Sequence, residues 1–284
     1  MPLHFKSLRS SSSGNCLLVW TDRTRVLIDC GLGSMKKTRE VLTKNLGDRL
    51  DIDGAVVSHM HTDHIGYYSL RVLDSLGVKV RVHESCLSQL KDKHFNGRGF
   101  NSLRLRPFAD SGFKIGELNF QAFEVSHNPR YPTYGFVIKY GSSKMVIATD
   151  FNEWDGLLEH FVDSDFIFVE SNHDLDLLAR HFNPNSRFHM PNPKTARLLC
   201  TARKHSRRPP QGVMLGHLSS IRNRPDIALK EAESSFENCG AAWDFPLLAA
   251  PRLEASGVVE VNHLSEASVA TKESGLTTAS RKEH

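Results

Sequence analysis

The segment Ser58-His59-Met60-His61-Thr62-Asp63-His64-Ile65-Gly66 (residues 58–66) contains four possible metal ligands within six positions, three imidazoles and one carboxylate. In extended chain, residues two apart face the same side, so His59 and His61 can bind one ion together. The chain then turns into a helix, and Asp63 and His64 point the other way from its first turn. The segment can therefore supply ligands to two adjacent ions, and imidazole with carboxylate suits zinc, manganese or iron.

Acidic or histidine residues follow five short apolar runs of the chain. Runs of this length that are rich in Val and Ile are typical of buried strands. The runs and the residues that follow them are 25–28 before Asp29, 54–57 before Ser58 and His59, 145–148 before Asp150, 166–169 before Glu170, and 212–215 before His217. Because the carboxyl ends of neighbouring strands converge on one edge of an open sheet, we expect these residues to face a common cleft.

Amphipathic stretches between these runs predict helices, and other stretches predict hairpins. The predicted helices cover residues 36–46, 67–76, 175–181 and 225–239, and the predicted hairpins cover 113–125 and 134–145. Pro225 at the start of the last helix and Gly240 after its end are typical of helix boundaries. Helices and strands are therefore interleaved, with antiparallel pieces, along most of the chain.

The chain has 284 residues, of which 39% are apolar and 24% charged, and this composition indicates a globular protein of one large or two small domains. No stretch approaches about 18 consecutive apolar residues, and the first residues lack an apolar core, so we expect neither a membrane span nor a secretory signal. Five cysteines without a Cys-x-x-Cys pair predict buried thiols in a reducing cytoplasm. The last residues are rich in Ser, Thr, Ala and Glu, which predicts a folded domain over 1–262 and a disordered tail over 263–284.

The net charge of +4 and a pI near 8.8 permit a polyanionic partner without requiring one. Basic residues are concentrated in the stretch 185–210, which contains no acidic residue. Arg203, Lys204, Arg207 and Arg208 in this stretch are candidate contacts to a phosphate backbone. The alternative is that the stretch is a solvated basic loop or helix.

Three further residues complete a possible ligand set for two ions. His127, Asp150 and His217 each follow a predicted strand. Taken alone, each of them would more often be a cap or a hydrogen-bonded buried group. The 15 histidines of the chain and the cluster in residues 58–66 favour metal chemistry, so we interpret all three as ligands.

The order of these motifs resembles the metallo-β-lactamase fold superfamily over about residues 3–262. The residues that carry the resemblance are Asp29-Cys30-Gly31, the segment 58–66, His127, Asp150 and His217. Three further segments make the chain most similar to the YycJ/WalJ-type branch, whose members are regarded as DNA exonucleases. They are residues 7–16 (SLRSSSSGNC), 170–174 (ESNHD) and 216–220 (GHLSS).

The resemblance implies an α+β fold, a four-layer αββα sandwich with the metal site at one edge. It also implies two divalent ions, Zn²⁺ or Mn²⁺, as cofactors. The implied ligands are His59, His61 and His127 for the first ion, Asp63, His64 and His217 for the second, and Asp150 as the bridge between them. Asp29 would orient ligand histidines through hydrogen bonds.

The resemblance further implies a hydrolase in which a hydroxide that bridges the two ions attacks phosphorus or an acyl carbon. Asp63 is counted as catalytic as well as a ligand, and His173 and Glu170 are the candidates for donating a proton to the leaving group. The hydroxyl-rich loop near the amino terminus can donate hydrogen bonds to a phosphate, although its Ser-Gly-Asn sequence is also ordinary turn chemistry. Its candidate phosphate contacts are Ser12, Ser13 and Asn15.

Three functions are open at this point. The favoured one is a phosphodiesterase, most specifically a DNA exonuclease, and its support is the branch motifs and the basic charge. The second is an acyl hydrolase of the same fold, such as a glyoxalase II-type thioesterase, a lactonase or a β-lactamase. The third is a scaffold that binds metal without catalysis. The sequence leaves open the native metal, the cleavage polarity, the choice between DNA and RNA, and the oligomeric state.

Overall fold

A computed structural model of the chain describes residues 2–90 and 103–262, and this part contains two seven-stranded β-sheets. The strands of the first sheet are β1 (Leu3–Ser11), β2 (Gly14–Trp20), β3 (Arg25–Ile28), β4 (Gly54–Val56), β5 (Lys79–His83), β6 (Arg104–Phe108) and β14 (Val259–Val261). Their spatial order is β14-β1-β2-β3-β4-β5-β6. The first sheet is thus built mainly from the amino-terminal half of the chain, and β14, the last described strand, forms one of its edges.

The second sheet is built from the middle of the chain. Its strands are β7 (Phe113–Ile115), β8 (Leu118–Val125), β9 (Thr133–Tyr140), β10 (Ser143–Ala148), β11 (Phe166–Glu170), β12 (Gly212–Gly216) and β13 (Leu247–Ala249). Their spatial order is β13-β12-β11-β10-β9-β8-β7. In both sheets one half is antiparallel and the other parallel: β3 to β6 run parallel in the first sheet, and β10 to β13 in the second. The carboxyl ends of the parallel strands therefore meet at one edge, as the apolar runs predict.

Helices cover the outer faces of the two sheets. They are α1 (Met35–Leu46), α2 (Tyr67–Ser75), α3 (Leu87–Leu90), α4 (Leu158–Phe161), α5 (Leu175–Arg180), α6 (Asn192–His205) and α7 (Pro225–Cys239). Buried residues of α1 and α2 join the apolar core of the first sheet, whereas those of α4, α6 and α7 join a second core on the outer face of the second sheet. The expected four-layer αββα sandwich is confirmed. None of the described helices combines the length and the apolar composition of a membrane span.

Aromatic side chains fill the space between the two sheets. The Phe5 ring of β1 lies 4.8 Å from the Phe166 ring and 5.2 Å from the Phe168 ring of β11, measured between centroids. All three side chains are fully buried. Each large apolar side chain buried in this way contributes about 1.5–3 kcal/mol, so this core fixes the position of the second sheet on the first.

Three strands end at the shared edge in residues with left-handed backbone. Asp29 after β3, Asp150 after β10 and His217 after β12 have φ angles of 60°, 58° and 53°. This conformation is unfavourable for a residue with a Cβ atom, although Asp tolerates it better than most. Strain of about 1–3 kcal/mol per residue persists where the surroundings enforce it, and such residues are concentrated at functional sites.

Most of the predicted elements are confirmed, with shifts at their ends. The helix predicted over 225–239 has those bounds, and Gly240 after it has a left-handed φ of 65°. The middle of the basic stretch 185–210 is helix α6 rather than a loop.

All five cysteines are free thiols, but Cys239 is half-buried, unlike the other four. The tail predicted for 263–284 lies outside the described residues, so the domain boundary at residue 262 stays a prediction.

Gly31 allows the close backbone approach on which the ligand turn depends. A Cβ atom at this position would lie 1.8 Å from the carbonyl oxygen of Asp63 and 2.5 Å from the backbone nitrogen of His64. We expect Gly31→Ala to lower the free energy of unfolding by about 1–3 kcal/mol, the usual cost of overpacking. Urea denaturation measures this, with Gly257→Ala as the matched control, because a Cβ at Gly257 meets no heavy atom within 4 Å. Equal midpoints for the two variants would contradict the prediction.

Candidate metal centre

The seven predicted ligands lie together at the edge where the strand ends of both sheets meet. They are His59, His61, Asp63 and His64 after β4, His127 after β8, Asp150 after β10, and His217 after β12. Five of the seven are buried, and His61 and Asp63 are half-buried. The backbone of the 58–66 segment is held in place by neighbouring strands: the Asn15 N–H donates to the Asp63 carbonyl and the Cys30 N–H to that of His64, both at 2.7 Å.

The first group of ligand atoms consists of three imidazole nitrogens and one carboxylate oxygen. The Nδ1 atom of His61 lies 2.8 Å from His59 Nε2 and 3.3 Å from His127 Nε2. The Oδ1 atom of Asp150 lies 3.8 Å from His127 Nε2. These four residues form a group that could hold one metal ion.

The second group lies on the other side of Asp150. The Oδ2 atom of Asp63 lies 3.5 Å from His64 Nε2 and 3.6 Å from His217 Nε2. The Oδ2 atom of Asp150 lies 2.9 Å from His64 Nε2 and 3.5 Å from His217 Nε2. One oxygen of Asp150 therefore faces the first group and the other faces the second, which is the arrangement that a bridging ligand requires.

Hydrogen bonds behind the rings decide which ring nitrogen faces the centre. The Nδ1 atom of His64 is 2.7 Å from Asp29 Oδ2, which also accepts the hydroxyl of Ser58 at 2.8 Å. The Nδ1 atom of His127 is 3.0 Å from the carbonyl oxygen of Phe188. Because carboxylate and carbonyl oxygens can only accept, each Nδ1 donates to the oxygen behind it, and Nε2 is the ring nitrogen that faces the centre. The structure thus places Asp29 behind His64, and its role in orienting a ligand stays a prediction.

A divalent cation fits this donor set. Among the described residues, His217 Nε2 is a buried atom without a hydrogen-bond partner. Leaving a buried polar group unsatisfied costs about 1–3 kcal/mol, and coordination to a cation would remove that cost. Imidazole nitrogen and carboxylate oxygen are the usual protein ligands of zinc and of several other divalent metals.

The electrostatics differ between the two groups. Burial, together with the neighbouring His127, lowers the pKa of His61 to about 4, so this ring is neutral and able to coordinate at pH 7. Burial acts in the same direction at His217, but Asp150, Asp63 and Glu170 outweigh it and raise the pKa of that ring to about 10. A cation that binds the second group must therefore displace a proton, so metal binding there is coupled to proton release.

His189 was not predicted from the sequence, yet it belongs to the same cluster. Its Nδ1 atom lies 2.7 Å from Glu170 Oε1 and 3.6 Å from Asp150 Oδ1. Glu170 is fully buried and its Oε1 is also 2.7 Å from Nδ1 of His217, while its Oε2 accepts the backbone N–H of Phe151 at 3.0 Å. Glu170 thus fixes one predicted ligand and one unpredicted histidine at once.

His173, one of the two candidates for the proton donor, lies in the wall of a neighbouring pocket and belongs to none of the candidate metal groups found among the described residues. Burial lowers the pKa of His173 to about 4, which leaves the ring neutral at pH 7. Glu170, in contrast, contacts the cluster directly. The structure therefore places His189, rather than His173, beside Glu170 and the ligands.

The amino-terminal hairpin contributes Asn15 to the centre. The Nδ2 atom of Asn15 lies 3.4 Å from Asp63 Oδ2 and 3.0 Å from His64 Nε2. Ser12 and Ser13 are exposed at the hairpin tip, and the tip lies beside the centre because Ser10 accepts the backbone N–H of His217 at 2.8 Å. Asn15 therefore orients a predicted ligand, whereas Ser12 and Ser13 stay candidate phosphate contacts.

The four basic candidates lie at the opposite edge of the second sheet. Three form ion pairs, Arg203 with Asp244 at 2.6 Å, Arg207 with Asp163 at 2.8 Å and Arg208 with Asp165 at 2.8 Å, and Lys204 donates to the carbonyl oxygen of Cys239. Asp165 directly precedes β11, whose other end is Glu170, so a five-residue strand of about 16 Å separates these cations from the centre. The structure does not bring them to the site.

Known proteins of one family are similar to this chain in sequence. Residues 24–214 match the family model of the β-lactamase superfamily domain. Over 186 residues the chain is 28% identical to the exodeoxyribonuclease YycJ of Bacillus anthracis, covering 63% of this chain and 66% of that protein. Over 176 residues it is 26% identical to the exodeoxyribonuclease WalJ of Streptococcus pneumoniae, covering 61% and 64%. The matched region spans slightly less than two thirds of each of these relatives.

The fold is also similar to that of a solved structure. The crystal structure of the metallo-β-lactamase fold protein YhfI from Bacillus subtilis superposes with a TM-score of 0.70, covering 92% of this chain and 100% of that chain. The two sequences are 18% identical, so this similarity concerns the fold alone.

Proposed function

We propose, from the premise that the chain belongs to the β-lactamase superfamily, that it is a phosphodiesterase with two divalent metal ions that degrades DNA from an end. The family and the fold are those of metal-dependent hydrolases. The choice of phosphodiester over acyl substrate is supported by the two relatives that are named exodeoxyribonucleases. We assign nucleic acid, with DNA favoured, as the substrate class.

The position of Asp150 between two ligand groups carries this proposal. Its Oδ1 faces His127 and its Oδ2 faces His64 and His217, so the two candidate ions would share one carboxylate. A ligand set that could hold two ions through one shared carboxylate suits phosphodiester cleavage, in which charge develops on both the attacking and the leaving oxygen.

In the proposed mechanism, His59, His61 and His127 would hold one ion. Asp63, His64 and His217 would hold the other, and Asp150 would contact both. Divalent ions bound there supply Lewis acidity, which activates water and neutralises phosphoryl charge. Asp29 and Glu170 keep the rings of His64 and His217 aimed at the centre through 2.7 Å hydrogen bonds. Asn15 donates its amide to Asp63 and so orients that carboxylate.

We assign the proton donor for the leaving oxygen to His189. Its Nδ1–H donates to Glu170, which leaves Nε2 as the nitrogen that can pass a proton outward. The ring is partly exposed, with 18% of its side chain accessible, and it lines the pocket beside the centre. Glu170 acts as the positioning residue, because an ionised carboxylate at 2.7 Å favours the protonated ring.

The function is tested with metal-reconstituted protein and DNA strands labelled at the 5′ or the 3′ end, single-stranded and double-stranded. We expect stepwise shortening of the strands, loss of activity with a chelator, and recovery when Zn²⁺ or Mn²⁺ is added back. S-lactoylglutathione serves as the parallel substrate for a thioesterase. Hydrolysis of the thioester while the DNA stays uncleaved would establish the acyl hydrolase instead. Stoichiometric bound metal without hydrolysis of either substrate would establish the scaffold.

A further inference from the structure

A pocket of about 530 Å³ opens beside the metal centre. Its wall is built from the loop after β10, from His173 and α5, from the segment between α5 and α6, and from the first turn of α6. The volume lies within the range of about 300–1,000 Å³ that is usual for small-molecule sites. It can accommodate one nucleotide but not a double helix.

Phe182 gives the pocket an exposed aromatic surface. It follows α5 and is 78% exposed, although a phenylalanine is normally buried. An exposed ring at a pocket mouth is what proteins that bind single-stranded nucleic acid use to stack a base, and the stacking tolerates any base because each has a π face. Phe182 therefore favours a planar aromatic ligand.

Arg187 is the cation of the pocket that is available to an anion. Lys194 is neutralised, because its Nζ lies 2.7 Å from Glu153 Oε2. The guanidinium of Arg187 lies 4.6 Å above the Phe188 ring, and the described residues include no carboxylate in ion-pair contact with it. Asn152 donates its side-chain amide to the Arg187 carbonyl at 2.8 Å, which ties this residue to the opposite wall. A guanidinium held in this way suits a phosphate.

His189 belongs to the pocket wall and to the metal cluster at the same time. Its ring lines the pocket, while its Nδ1 lies 3.6 Å from Oδ1 of Asp150. A ligand in the pocket is therefore one side chain away from the atoms that would bind the metal ions. We propose that the pocket binds one unpaired nucleotide next to the scissile phosphate, with its base on Phe182 and a phosphate on Arg187; this rests on the proposed function and specifies how it recognises substrate.

The test measures binding rather than turnover, with deoxyadenosine 5′-monophosphate and inorganic phosphate as the probes on Zn²⁺-loaded protein. We expect Phe182→Ala to weaken binding of the nucleotide about 5- to 150-fold, the range for loss of one base stack, and to leave phosphate binding unchanged. Phe182→Trp should retain nucleotide affinity, because the indole also stacks. Arg187→Gln should weaken both probes. Leu253→Ala is the control, since this side chain is 64% exposed outside the pocket and should change neither affinity.

Nucleotide affinity that is unchanged in Phe182→Ala, or no greater in the wild type than the affinity for phosphate, would overturn the inference. Failure of the proposed function gives a different result, because the wild-type protein would then leave labelled DNA intact. A protein that cleaves DNA but binds the nucleotide independently of Phe182 refutes the pocket alone. A protein that leaves DNA intact but binds the nucleotide through Phe182 supports the pocket and refutes the exonuclease.

Discussion

Asp150→Asn is expected to lower the rate of DNA hydrolysis on the order of 10³-fold or more and to reduce the metal content below two ions per chain. The two oxygens of Asp150 face separate ligand groups, so one carboxylate balances part of the charge of both proposed ions. An amide keeps the shape of the side chain but removes the charge and one of the two coordinating oxygens. Lewis-acid stabilisation by metal ions is worth several kcal/mol, and each 1.4 kcal/mol or so is tenfold in rate.

Asn is the appropriate replacement because Asp150 has a left-handed φ of 58°, which Asn also tolerates and Ala does not. The fold should therefore survive, as circular dichroism and thermal unfolding would show. Asp155→Asn is the matched control: the same chemical change in the same loop, at an exposed residue. Elemental analysis gives the metal content and a labelled strand gives the rate. Two bound ions and an unchanged rate in Asp150→Asn would refute the bridging role.

The ligand set could be predicted from the sequence because strand ends impose a rule on it. A buried strand is recognisable from its apolar run, and its carboxyl end must lie at the edge of the sheet. Asp150 and His217 lie two residues after the ends of such runs. Their proximity to the 58–66 segment therefore followed from the expectation that the strands share an edge. Their roles as ligands stay a prediction, but the structure does bring the side chains together.

His189 could not be predicted in this way. It follows a short 3₁₀ turn rather than a strand, and neither spacing nor periodicity connects it to the other histidines. It reaches the cluster because the chain between α5 and α6 folds back over the end of β11, where Glu170 Oε2 accepts the backbone N–H of Met190 at 3.3 Å. Glu170, an acid at the end of a predicted buried strand, indicated that a partner must lie nearby, but the sequence did not show which residue that partner is.

The basic stretch shows a second limit of sequence reasoning. A run without acids indicates a positive surface only if no acid from elsewhere in the chain packs against it. Asp163, Asp165 and Asp244 come from segments that are 41 to 44 residues away from their partners and pair with the cations of α6 and the loop after it. Tertiary structure thus neutralises charges that composition counts as available.

His189→Ala is expected to separate substrates by their leaving group. A proton donor contributes about 10²- to 10⁴-fold when the leaving oxygen is a poor one, as it is in DNA. The p-nitrophenolate of bis(p-nitrophenyl) phosphate departs without protonation, so the rate of hydrolysis of this substrate should fall only slightly. His181→Ala is the matched control, because this histidine is exposed and eight residues away in the same connection. The rates of wild-type protein and both variants are compared on the two substrates at equal metal content.

Glu170→Gln distinguishes proton donation by His189 from structural support of the ligands. Glu170 supports both His189 and the predicted ligand His217 through 2.7 Å contacts. Loss of such support to a ligand typically lowers metal affinity or activity by about 10- to 100-fold. Glu170→Gln should therefore slow both substrates, whereas His189→Ala should slow DNA selectively. If His189→Ala slowed both substrates equally, the ring would be holding the centre together rather than donating a proton. If it slowed neither, His189 would not be the proton donor.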